Sequence, residues 1–134
     1  MSSSAGISLP KVVVYNGTPT YGNGLGADIF DVDNFVIPTA ALTNVFTIPV
    51  AITADFVVWT YGRVITANTN TTITLAWNDE SGPQSATLHS GGWAVGGYPL
   101  TPQYIHVVSG STITLNVTPA TGNRVFISTD VYLM

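Results

Sequence analysis

Apolar and polar residues alternate along most of this chain with a period of two, the period of a β-strand buried on one face. Thr72-Ile-Thr-Leu-Ala-Trp77 sets Ile73, Leu75 and Trp77 on one side, and Ser111-Thr-Ile-Thr-Leu-Asn-Val-Thr118 turns Ile113, Leu115 and Val117 inward. The stretch Phe56–Thr66 is the strongest strand signal, dense in β-branched and aromatic residues. Further strands are expected at Lys11–Tyr15, Asn44–Ile48, Ala86–Leu88, Tyr104–Val108 and Arg124–Met134, with short ones around Phe30, Val32 and Phe35–Ile37. Turn residues separate them: Asn16-Gly17, Asn68-Thr-Asn70, Ser109-Gly110 and Pro119–Asn123. A glycine-rich segment (Gly17, Gly22, Gly24, Gly26) reads as a long loop, as does Asn78–Ser85 with its Gly82-Pro83. Thr39–Leu42 has room for one helical turn at most, and no segment carries an amphipathic helical pattern. The pattern predicts an all-β fold, an antiparallel β-sandwich of jelly-roll type with roughly 8–10 short strands. No segment recurs at a constant period, which disfavours a propeller or solenoid. Residues 1–10, small and polar and ending in Pro10, read as a flexible N-terminal arm; residues 11–134 read as one β-sandwich domain.

Composition sharpens this picture. Nineteen residues are threonine and only ten are charged, 7% of the chain against about 25% in an average soluble protein. The surfaces must therefore be kept soluble by uncharged Thr, Asn and Ser, or be covered by something else. The net charge is −4, and the cations are Lys11, Arg63 and Arg124. Three cations do not neutralise a run of phosphates, so neither nucleic acid nor an anionic membrane is an expected partner. The chain has no cysteine, which removes disulfides, iron–sulfur sites and thiol nucleophiles. The most apolar stretch, Phe35–Trp59, is broken by Pro38, Asn44, Pro49 and Asp55 and falls short of the roughly 18 continuous apolar residues of a membrane helix. The first ten residues lack the basic and apolar regions of a signal peptide.

The candidate chemistry is sparse. Asp28, Asp31 and Asp33, with Asn34, offer oxygen ligands. The glycine and distal glutamate of a calcium loop are absent from their places, so a solvated acidic loop is the expectation and no metal is assigned. His89 and His106 are the two imidazoles, with Asp79, Glu80, Ser85 and Ser90 as conceivable partners. They lack the spacing of a helical zinc motif, and no serine sits in a nucleophile elbow. His106 is expected to point outward between Ile105 and Val107. No enzymatic activity and no cofactor are expected. Trp93, Tyr98 and Tyr104 lie among glycines and prolines. They are either a platform for stacking on sugar rings or, for Trp93, a plug at the end of the core with glycines making room. Arg63, inside the strongest strand, faces solvent or pairs across a subunit boundary, with Asp55 and Asp130 as possible partners.

The chain closes on Val131-Tyr-Leu-Met134, and an apolar ending must be buried. Either the last strand is central in its own sheet, or it packs against copies of itself with Phe126, Tyr132, Leu133 and Met134 as subunit-interface residues. Gly110-Ser-Thr-Ile-Thr-Leu115, a turn, and a final strand with Phe126 and a Tyr-Leu-Met ending resemble the closing hairpin of C1q/TNF-like trimeric jelly rolls over residues 110–134. That resemblance implies a last strand near a threefold axis, hence a homotrimer. The composition, rich in Thr, Val, Gly and Asn with few charges, is similar to that of small phage virion proteins, which implies a capsid decoration protein or a fibre head. The resulting expectation is a structural subunit of a virion that cements a shell by oligomeric packing. Its expected partners are copies of itself and a major capsid protein or other virion protein. The arm residues Ser2, Ser3, Ser4, Ile7, Leu9 and Lys11 would order on the shell, exchanging chain entropy for backbone hydrogen bonds and apolar contact. The alternative is a receptor- or carbohydrate-binding head of a viral fibre or spike, working through Trp93, Tyr98 and Tyr104.

Overall fold

The computed structural model describes residues 12–15, 18–21, 28–37, 42–119 and 125–134. These form eleven strands: β1 (Val12–Tyr15), β2 (Thr18–Tyr21), β3 (Asp28–Ile37), β4 (Thr43–Pro49), β5 (Ala54–Val64), β6 (Asn68–Asp79), β7 (Gly82–Trp93), β8 (Gly96–Pro99), β9 (Gln103–Val107), β10 (Thr112–Pro119) and β11 (Val125–Leu133). They make two sheets. The first, sheet A, has the order β2-β1-β3-β11-β5-β8, with β9 beside β8 on the same flank of β5. The second, sheet B, has the order β4-β10-β6-β7. Apart from the β6–β7 hairpin, the chain passes from one sheet to the other at each step between β3 and β8, and again between β9 and β11, which is the nested order of a jelly roll.

The fold is all-β, as the alternation predicts, and every ladder is antiparallel except β1 beside β3. That parallel pair follows from the path: β1 runs out, β2 reverses it, and β3 runs out again on the other side of β1. Several expected boundaries shift. The segment read as a glycine-rich loop contains β2, which pairs with β1 so that Tyr15 faces Thr18 across the Asn16-Gly17 signal. Asn68–Asn70, read as a turn, starts β6 instead, and Asn78–Ser85, read as a loop, is a tight hairpin with only Glu80 and Ser81 outside the strands. Gly82 supplies the positive φ (107°) that this reversal requires. The short strands around Asp31 are one strand, β3, interrupted by a bulge at which Asn34 takes φ 52°. The arm residues Ser2, Ser3, Ser4, Ile7, Leu9 and Lys11, the residues 39–41 of the proposed helical turn, and Arg124 lie outside the described residues.

The core lies between the sheets. Alternation puts Phe56, Val58 and Val64 of β5 and Val125, Ile127, Val131 and Leu133 of β11 against Ile73 and Leu75 of β6 and Ile113, Leu115 and Val117 of β10. Phe30 of β3 meets Phe46 of β4 across the gap, ring centroids 4.6 Å apart. A bulge in the β4–β10 ladder inserts Val45 between Asn44 and Phe46, which is why two successive residues are both buried there. One polar pair enters the core. The Thr129 hydroxyl donates to the Trp59 carbonyl at 2.8 Å, so its oxygen is left to accept from the Thr60 hydroxyl at 3.2 Å.

Candidate functional site

Two groups of side chains stand out once the strands are in register. The first closes the edge where β7 of one sheet approaches β8 of the other. Trp93, the last residue of β7, is 4% exposed. Its indole lies over Gly62 of β5, where an added Cβ would come within 2.5 Å of the ring. His89 stacks on its other side at 4.3 Å and 14°, and Tyr98 of β8 packs at 4.8 Å with its hydroxyl donating to the Ala94 carbonyl at 2.8 Å. Trp93 is thus the plug of the sandwich edge, and the glycine that admits it is Gly62 on the facing sheet. Its ring is not presented to solvent for stacking on a sugar, and Tyr98 is half-buried against it. Tyr104 stands apart from both, on β9 and 67% exposed.

The second group is the outer face of sheet A. Register places Val36, Phe126 and Arg63 in one row across β3, β11 and β5. The next rows hold Ser128 and Tyr61, then Asp31, Asp130 and Trp59, then Tyr132, Val57 and Tyr104. Trp59 (49%), Tyr61 (42%), Val36 (42%) and Tyr104 (67%) are exposed large side chains on this one surface, and Met134, just past the end of β11, is exposed as well. The Arg63 guanidinium lies 4.4 Å from the centroid of the Phe126 ring, a cation–π contact that lays the arginine flat on the face. It contacts neither Asp55 nor a neighbouring sheet residue by an ion pair among the described residues. The Tyr61 ring crosses β8 over Gly97, where any side chain would overlap its hydroxyl. These exposed rings share the face with Asp31, Asp130 and Arg63.

The C-terminal residues divide between these environments. β11 is central in sheet A, between β3 and β5, and its residues alternate buried and half-buried to Leu133. Leu133 belongs to the chain's own core and is corrected from the expected interface set. Phe126 and Tyr132 lie on the outer face in the half-buried positions of the alternation.

The imidazoles are not brought together. His89 is in the edge stack, its Nε2 3.3 Å from the Gly91 carbonyl. His106 is exposed on β9, Nδ1 2.5 Å from Asp55 Oδ1 and Nε2 2.8 Å from Glu80 Oε2. Those two hydrogen bonds raise its pKa above the ordinary histidine value, the bond to Asp55 foremost, and the bond between His106 and Glu80 holds Glu80 below the usual glutamate range. Asp55 therefore serves His106 rather than Arg63. Ser85 and Ser90 have no part in this. Among the described residues no group of three or more His, Asp or Glu side chains is arranged to hold a metal ion. Asp33 accepts from the Ser128 hydroxyl at 3.1 Å, and the Asn34 amide donates to the same oxygen.

Sequence reasoning did not single out Trp59, Tyr61 and Val57. The signal was available: Phe56-Val-Val-Trp59 is apolar or aromatic in both registers of the alternation, with Tyr61 following in the second, a pattern found in strands covered on both faces.

The class defined by these features is a two-sheet β-sandwich with the strand order of a jelly roll. The chain resembles a chain of the T13 IBDV viral particle, with a TM-score of 0.52 at 8% identity over 86% of this chain and 33% of that one. It also overlaps the enzymatically active domain of bacteriophage CBA120 tailspike protein 4, at 21% identity over 97% of this chain and 18% of that one. The TM-score there is 0.39, below the level of a shared fold. The chain spans about a third of the first protein's length and less than a fifth of the second's. No protein-family model matches the chain, and no curated protein matches it in sequence.

Proposed function

We propose that this chain is a virion structural subunit that assembles as a homotrimer through the outer face of sheet A and decorates or cements a shell. The observation that carries the reading is that Trp59, Tyr61, Tyr104 and Val36, in successive rows, are all exposed on the outer face of a sheet whose other face is already the core. Copies of the same chain are the fitting cover. The face sets exposed rings beside Asp31, Asp130 and Arg63, so a copy of the chain can meet it with rings and with charges of both signs, and a chain with 7% charged residues has little else with which to recognise a partner. The likeness in fold to a chain of a viral particle supports the same direction. The shell contact is assigned to the arm, residues 2–11, and the role is non-catalytic, with no cofactor. The burial of Trp93 removes the largest ring from the sugar-platform alternative, of whose three aromatics only Tyr104, 67% exposed, faces solvent.

Light scattering at micromolar concentration tests the assembly. The expected mass is three times the 14.1 kDa of one chain, and a single-chain mass refutes the trimer. Deleting residues 2–10 is expected to leave that mass unchanged and to abolish attachment to shells. Attachment at full stoichiometry without the arm removes its assigned role.

A further inference from the structure

We infer that His106 is a proton-dependent clasp between the two sheets, closed when the imidazole is doubly protonated and opened by loss of one proton. The inference stands apart from the assembly reading, because every contact lies within one chain.

Three elements meet at this corner. His106 projects from β9, Asp55 faces it across the ladder from β5 in the same sheet, and Glu80 reaches it from the tip of the β6–β7 hairpin in the other sheet. Asp79, at the end of β6, is a further charged group at this corner and acts on Glu80. It accepts from the Ser81 amide at 2.7 Å and from the Gln84 amide at 3.2 Å, so it shapes the tip and does not touch the ring. Beside the clasp a single backbone bond, Val108 N–H to the Asn78 carbonyl at 3.1 Å, also ties the sheets.

The geometry requires two donors. Carboxylates at both ring nitrogens only accept, so both nitrogens must carry hydrogen. A neutral imidazole has one N–H. On deprotonation, one carboxylate would face a ring lone pair, and that bond is exchanged for repulsion. Asp55 is held within the sheet by β5, whereas Glu80 sits on a two-residue turn exposed to water, so the hairpin tip is the element that lets go. The raised His106 pKa and the lowered Glu80 pKa fix the signs. The clasp contributes fully below the free histidine value and fades as pH climbs through His106's higher one. On the acid side it persists below the ordinary glutamate value and fails as pH falls through Glu80's lower one.

The test is an NMR titration of the intact protein. It follows the His106 ring and the exchange protection of the Ser81 and Val108 amides, corrected for intrinsic exchange rates. His106 is expected to titrate above the free value of about 6.5, and both amides are expected to lose protection together as it does so. In Glu80→Gln the midpoint is expected to move down. In His106→Gln, which keeps a hydrogen-bonding side chain without the titration, the step in protection is expected to vanish. A His106 midpoint at or below the free value, a midpoint indifferent to Glu80→Gln, or the same step surviving in His106→Gln would each overturn the clasp.

Discussion

The outer faces of the two sheets are built on the same alternation and carry opposite chemistry. On sheet B the outward positions of β10 are Thr112, Thr114, Asn116 and Thr118, and those of β6 are Thr72, Thr74, Ala76 and Asn78. Side chains of β10 bond to those of β4, Thr114 with Thr47 at 3.2 Å and Asn116 Oδ1 with the Asn44 side-chain amide at 3.0 Å, and that amide also donates to Thr47 Oγ1 along β4 at 3.0 Å. On sheet A the corresponding positions are Val57, Trp59, Tyr61 and Arg63 of β5 and Phe126, Ser128, Asp130 and Tyr132 of β11, five of the eight apolar or aromatic. Threonine is suited to the first task because its branched Cβ favours the strand while its hydroxyl satisfies water or a neighbour. The scarcity of charge therefore has two meanings. One face satisfies its polar groups with uncharged hydroxyls and amides, and the other carries exposed rings among a few charged side chains.

The largest effect should come from making one face resemble the other. Trp59→Thr with Tyr61→Thr replaces two large rings by the residue sheet B uses, at positions pointing away from the core. We expect the assembly to dissociate to a 14.1 kDa species while the strand content by circular dichroism stays the same. Removing exposed rings should change the fold's own stability by no more than about 1 kcal/mol. Retention of the wild-type mass by the double variant would show that the cover lies elsewhere.

A second pair of substitutions separates aromatic residues that build the fold from those that present a surface. Trp93→Ala empties the β7–β8 edge between Gly62, His89 and Tyr98 and is expected to cost about 3–5 kcal/mol. Gly62→Ala drives a methyl group into the indole and is expected to cost about 1–3 kcal/mol, the usual range for overpacking. Urea midpoints measured at one fixed protein concentration report both, since association adds its own concentration-dependent stabilisation. A Trp93→Ala variant as stable as the wild type would mean that the ring is not the plug its burial makes it.

Much of this fold is legible in the sequence, because the period of two reports burial directly. Ile73 and Leu75 on one strand, and Ile113, Leu115 and Val117 on another, lie inward as the alternation requires. What alternation does not report is the environment of the other register. Val131-Tyr-Leu-Met134 reads as an apolar ending in need of a cover, and the cover for Val131 and Leu133 is the chain's own core between the sheets. Pairing, a long-range property, decided that. Gly62 beneath Trp93 and Glu80 beside His106 are likewise joined by topology, across a sandwich that local spacing does not describe. Bulges were equally hidden: the extra residue at Val45 and the turn of Asn34 into positive φ leave no local signature beyond an interrupted alternation.

The smallest effect belongs to sheet B. The Asn44 amide group serves three acceptors: the Phe46 carbonyl at 3.1 Å, Thr47 Oγ1 and Asn116 Oδ1. It sits at the β4 bulge, where the ladder to β10 shifts register, so it substitutes side-chain bonds for the regularity that the bulge removes. Asn44→Ala deletes all three contacts, but the face is exposed and water replaces the lost donor. The net cost is expected to be about 1 kcal/mol, seen as a lower urea midpoint, with the assembled mass unchanged. Asn116→Ala should cost less, because Asn44 keeps its other two acceptors. If either substitution dissociated the assembly, sheet B would be an interface too. The contrast between a self-satisfied face and a face awaiting its partner would then fail.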